Sequence, residues 1–163
     1  MKSKLALSFL FLVVALTGCK SKSAMNFSNK IVGFEQDLGP AMIRTDEEVS
    51  KYYQEQNFDS AAAVSERMEN LVGSKIEAIE KLETPAIDGA EDFKKSSLKY
   101  FSYIKSIYTT YRRYAEETDE RAKEEARLKL LKTVGSKDEA IDDMQRAQQK
   151  FAKAAGFKIE DKK

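Results

Sequence analysis

The chain has 163 residues, 42% hydrophobic and 34% charged, which allows one modest packed domain and argues against wholesale disorder. Its 28 basic and 27 acidic residues leave a formal charge of +1, without the concentrated basic excess of a nucleic-acid-binding domain, so no nucleic-acid partner is expected. A single cysteine excludes an intrachain disulfide, and the absence of histidine removes the commonest general base and any carboxylate-histidine di-iron set.

The chain opens with Lys2 and Lys4, an apolar run from Leu5 to Leu16, and the small residues Thr17 and Gly18 before Cys19. Basic n-region, apolar h-region and small residues at the cut are the three parts of a secretory signal, and the run falls short of the roughly 20 apolar residues a spanning helix needs. Residues 1–18 are therefore expected to be removed. That takes two of the 28 basic residues and leaves the 27 acidic ones in excess by one. Leu16-Thr17-Gly18-Cys19 resembles the lipobox of bacterial lipoproteins, which implies a diacylglyceryl thioether on Cys19, cleavage just before it and an acylated new amine, palmitate being a typical chain. The residue type suits the chemistry, because the thiol is the one nucleophile here able to take lipid as a thioether. Two or three acyl chains then give stable attachment where one would be marginal.

Residues 19–23 are expected to form the lipidated cysteine and a short polar tether, reaching on the order of 14 Å if extended. By the same resemblance, Lys20 in place of the aspartate that often marks inner-membrane retention favours the outer membrane.

Residues 24–163 read as one helical domain. Phe27, Ile31, Phe34, Leu38, Met42, Val49 and Tyr52 keep helical spacing in the first segment. Gly39-Pro40 interrupts it, and the unbroken apolar phase favours a kink there over a restart at the capping pattern Thr45-x-x-Glu48. A second helix, capped by Asn57 or Asp59, carries Val64, Met68, Leu71, Val72, Ile76, Ile79 and Leu82 before Thr84-Pro85 ends it. The third is expected from about Ala90 to Glu117. A fourth, capped by Thr118 or Asp119, reaches toward Ala155 with Leu130, Val134, Ile141, Met144, Gln148 and Phe151 in phase across Gly135, and Gly156 supplies a C-terminal cap. Ser136-x-x-Glu139 offers a second capping box within it. Four such helices joined by short loops bury their stripes most simply as an all-α, antiparallel up-down four-helix bundle.

The third helix is unusual in carrying Tyr100, Phe101, Tyr103, Tyr108, Tyr111 and Tyr114. Phe93, Tyr100, Ile104, Ile107 and Tyr111 share one line, with Phe101 and Tyr108 on one flank and Tyr103 and Tyr114 on the other, an arc of about 160°. Core packing with the hydroxyls led to the rim is the favoured reading. The alternative leaves flank tyrosines exposed beside Arg112 and Arg113 as a binding patch, since Tyr and Arg favour interface hot spots.

Signals for chemistry are weak. Asp138, Glu139, Asp142 and Asp143 cluster without a shaped loop, so no metal site is expected, and nothing implies a cofactor. No nucleophile elbow or glycine-rich phosphate loop is present. With the lipobox, the helical body and the terminal segment Ala147 to Lys163, the chain resembles small all-helical bacterial surface lipoproteins, a resemblance that implies location and architecture but no mechanism. The expectation is a non-enzymatic, membrane-anchored envelope protein that touches the bilayer through Cys19 and binds or scaffolds another envelope protein. A small-ligand carrier with a cleft lined by Tyr100, Tyr103, Tyr108 and Tyr111 is the alternative, and an atypical hydrolase a third reading.

Overall fold

A computed structural model of the chain describes residues 13–14 and 19–159, with side chains from Lys20 onward. Lys2, Lys4, most of the apolar run, Leu16-Thr17-Gly18, the Cys19 side chain and residues 160–163 lie outside the described residues. Five helices make up the rest: α1 (Cys19–Gln54), α2 (Phe58–Glu80), α3 (Ala90–Glu116), α4 (Glu120–Gly135) and α5 (Lys137–Ala155). A two-residue antiparallel ladder joins β1 (Val13–Val14) to β2 (Lys158–Ile159). The class is all-α.

Local chemistry accounts for the boundaries. Asn57 Oδ1 accepts from the Ser60 amide at 3.2 Å and Asp119 Oδ1 from the Ala122 amide at 2.9 Å, so each caps the helix that follows it. Gly156, at φ 74°, closes α5, as its position after Ala155 implies. Gly89 opens α3 at φ 81°, a conformation that other residues adopt only with strain.

Two expectations change and one is kept. The helix begins at Cys19, so the tether expected over residues 20–23 is the first turn of α1, and Ser21 is already buried. That shortens its reach to about 1.5 Å per residue. α1 runs unbroken through the exposed Pro40, in keeping with continuation there rather than the restart at Thr45, because apolar contacts on both sides hold the helix across the lost backbone bond. The span expected for one fourth helix is divided at Ser136 into α4 and α5. Ser136 makes no side-chain cap: its hydroxyl donates back to the Thr133 carbonyl at 2.8 Å. Val134, expected in the core, is 44% exposed, and α4 buries no residue.

α3 packs against α2, α4 and α5 and touches α1, which is why its apolar arc is wider than that of a helix with a single neighbour. Phe27, Phe93 and Phe151 meet at one end of the core, with ring centroids 5.8 to 6.1 Å apart. Leu38, Val72, Phe101, Ile104 and Met144 extend the core along the helices. Side-chain ion pairs mark the register. Between α1 and α2 they are Asp37–Lys75 and Glu48–Arg67; between α2 and α3, Glu69–Arg112; between α3 and α5, Asp92–Lys150 and Lys99–Asp143.

Candidate functional site

The tyrosines of α3 meet a polar line on α1. Ser28, Glu35, Asp46 and Tyr53 are 7, 11 and 7 residues apart, spacings that return to the same side of a helix within about 20°. Each is engaged across the interior. Gln148 Nε2 donates to Ser28 Oγ at 3.0 Å, Tyr100 OH to Glu35 Oε1 at 2.8 Å, Tyr108 OH to Asp46 Oδ1 at 3.1 Å, and Tyr53 OH to the Tyr111 carbonyl at 2.7 Å. Glu35 and Gln148 are buried, as are the rings of Tyr100 and Tyr108.

Burial shapes the titration of this seam. It pushes the Glu35 carboxyl up to about 7, with the Tyr100 hydrogen bond pulling the other way. Asp46 is pushed up to about 6 by burial, opposed by Tyr108. The Tyr100 and Tyr108 phenols move upward, first through burial and then through the neighbouring carboxylates, so they remain donors. Glu35 Oε2 and the Tyr103 hydroxyl are buried without a hydrogen-bond partner. The two carboxyls do not converge: eleven residues of helix separate them by about 16 Å. Each has its own phenol, so the pair is not placed to act on one substrate atom.

The other α3 residues singled out from sequence are also engaged. Tyr111 packs edge-on against Tyr53 and Tyr108, and burial pushes its phenol up to about 12. Tyr114 packs against Tyr53 at 5.4 Å, and the Lys123 ammonium lies 4.3 Å from the Phe58 ring and 5.5 Å from that of Tyr114, fastening the start of α4. Arg112 bonds Glu69 at 3.0 Å and Glu116 at 3.1 Å. Burial alone would raise the Glu69 carboxyl, but Arg112, with Thr109 and Lys105, outweighs it and holds the carboxyl below the usual range. Tyr103, Tyr111 and Tyr114 remain half-buried. Thus the structure brings Tyr100, Tyr108, Tyr111 and Tyr114 together with α1, and turns Arg112 toward α2.

The sequence reading missed Glu35, Asp46 and Tyr53. Their signal lay in the spacing, since Ile31, Glu35, Leu38, Met42, Asp46, Val49 and Tyr53 form one i, i+4, i+7 series in which two acids occupy apolar positions. Tyr52, expected on the buried face, is half-buried, and its neighbour Tyr53 makes the interior bond. In the acidic cluster of α5, Asp143 is held by Lys99 and Arg146, each at 2.6 Å.

Surface depressions lie elsewhere. One of about 430 Å³ sits beside the start of α1, lined by Lys22, Asn26 and Lys30 with Leu82. Another of about 560 Å³ runs between α3 and α5, lined by Lys95, Lys99, Arg146 and Lys150 among others. A third, of about 460 Å³, lies between α3 and α4. None of these three is lined by a tyrosine. Among the described residues no helix is long and apolar enough to cross a membrane. In comparisons with known proteins, no family model, curated protein or solved structure matches this chain.

Proposed function

We propose that the chain is a lipoprotein of the bacterial cell envelope, anchored to the outer membrane through an acylated Cys19 after residues 1–18 are removed. Its helical body serves in binding or scaffolding an envelope protein. The observation that carries this reading is the run of Lys2, Lys4, the apolar stretch Leu5 to Leu16 and Leu16-Thr17-Gly18-Cys19 in that order. The body is an antiparallel up-down bundle in which α4 and α5 together take the fourth place. The register supports this: residue numbers run in opposite senses across the α1–α2, α2–α3 and α3–α5 pairs, and rise together in Glu35–Tyr100 and Asp46–Tyr108. A non-catalytic role is supported by the separation of Glu35 from Asp46 and by the commitment of each to one phenol. The small-ligand carrier has less support, because Tyr100 and Tyr108 give their hydroxyls to those carboxylates and Tyr111 and Tyr114 pack on Tyr53.

The anchor is tested by expressing the chain in bacteria with a fatty-acid analogue and determining the mature N-terminus. Label on the wild type, a mature chain starting at residue 19, and loss of both in Cys19→Ala are expected. Label that survives Cys19→Ala, or a mature terminus elsewhere, refutes the reading. Crosslinking in intact cells then identifies the partner.

A further inference from the structure

The opening of α1, from Cys19 to Phe34, carries Lys20, Lys22 and Lys30 and no acidic side chain. Lys22, Asn26 and Lys30 follow one another at four-residue spacing, share an arc of about 80° and are exposed. Facing them, Leu82 and Glu83 follow the end of α2, and the depression of about 430 Å³ lies between, with the buried Phe27 in its lining. Lys94 fixes this wall by donating to the Leu82 carbonyl at 2.7 Å. Lys22, Lys30 and Glu83 join no ion pair among the described residues, whereas Glu77, farther back on α2, is paired with Lys81 at 3.7 Å. The depression therefore holds two cations, an amide and a carboxylate whose charges the fold does not use.

Position and charge order indicate what enters. Lys22 is three residues from Cys19 and Asn26 seven, about 4.5 and 10 Å along the helix axis. A headgroup layer is about 5 to 8 Å deep, so with Cys19 held at the bilayer the near end of the depression opens among headgroups. The register in which Asp37 meets Lys75 puts Glu83 level with Lys30, farther from the anchor than Lys22. Side chains on a helix lean toward its N-terminus, which gives Lys30 reach back over Asn26. A ligand arriving from the bilayer thus meets cations and an amide donor first and a carboxylate last. A phosphate diester followed by a primary ammonium has that order of charge, and Phe27 and Leu82 give the short carbon chain between the two an apolar floor. An anionic headgroup without the ammonium would meet Glu83 as a repulsion.

We infer that the depression at the start of α1 takes a zwitterionic phospholipid headgroup, its phosphate on Lys22, Asn26 and Lys30 and its ammonium on Glu83. The membrane as the source of that lipid rests on the anchoring of Cys19; recognition of the headgroup does not.

The test is nitrogen-15 NMR of the full chain in neutral detergent, titrated with dihexanoyl phosphatidylethanolamine, with the phosphatidylglycerol of the same chain length, and with inorganic phosphate. Saturable amide shifts confined to residues 22–30 and to Leu82 and Glu83 are expected, with a midpoint about fivefold lower for the ethanolamine lipid than for the glycerol one. Lys22→Gln and Lys30→Gln should each raise the midpoint for both lipids about fivefold, and Glu83→Gln should erase the preference between them. All three side chains are exposed, and circular dichroism checks that each variant keeps its helicity. Cys19→Ser should leave the shifts intact, because short-chain lipid reaches the depression without the anchor. Fatty-acid label on Cys19 with no such shifts would therefore sink this site alone, and the shifts without label would sink the anchor alone. Equal midpoints for the two lipids, the same shifts at the same midpoint with inorganic phosphate, or shifts that survive both lysine variants unchanged would each overturn the inference.

Discussion

Replacing Glu35 with glutamine isolates the cost of a carboxyl kept in the interior of the bundle. Burial moves this group from an ordinary 4.5 to about 7 in the folded chain. Its proton is therefore held more tightly in the folded than in the unfolded state, so folding is favoured at low pH and loses free energy as pH rises from about 4.5 to about 7. At about 1.4 kcal/mol per pKa unit, the loss through this one group is about 3 kcal/mol. Glutamine preserves the shape and the acceptor for Tyr100 but cannot ionise. In place of the unpartnered Oε2 it puts an amide whose unmet donors cost about 1 to 3 kcal/mol at every pH. Glu35→Gln should thus be less stable than wild type at acid pH and equal or better above neutrality. The curves are measured by urea denaturation, followed by circular dichroism across this pH range. Asp46, pushed up to about 6, adds a similar slope at lower pH in both proteins and drops out of the difference. Parallel stability curves for the two proteins would show that Glu35 does not titrate as its burial demands.

Tyr108→Phe deletes the hydroxyl that reaches Asp46 and should cost about 1 to 2 kcal/mol in the same denaturation assay, with Asp46 titrating still higher by carbon-13 NMR. An unchanged Asp46 would mean that the phenol does not hold its carboxylate. The two left-handed glycines should separate in magnitude. In Gly89→Ala the new methyl meets the Phe151 backbone at 3.2 and 3.3 Å, whereas in Gly156→Ala it meets open space. The second should cost about 1 kcal/mol from backbone strain alone and the first clearly more, read as the difference in urea midpoint. Equal losses would remove the close approach of α3 and α5 as a determinant of the fold.

Some of this molecule was legible without coordinates because helical periodicity and end signals are local. Asn57, Asp119 and Gly156 act where their side chains or backbone freedom imply, and the α3 line from Phe93 to Ile107 is buried as its spacing requires. At Pro40 the unbroken apolar phase pointed to a helix that continues, as α1 does, although what holds it across the missing backbone bond is the set of core contacts flanking it. Gly135-Ser136 shows the converse. The apolar phase from Leu130 to Phe151 carries through, yet the helical run is divided there, and Val134 stays exposed on α4 with Leu128 and Leu131.

Sequence alone determined the helical class, most of the helix ends and the choice of α3 as an aromatic helix, because each depends on residues within a turn or two of one another. Tertiary structure decided that Tyr100 and Tyr108 face carboxylates rather than solvent, and that Glu35 is buried and Asp46 half-buried against them. Burial and partner are properties of residues more than sixty positions apart, and no local pattern specifies which acid on α1 will meet which phenol on α3.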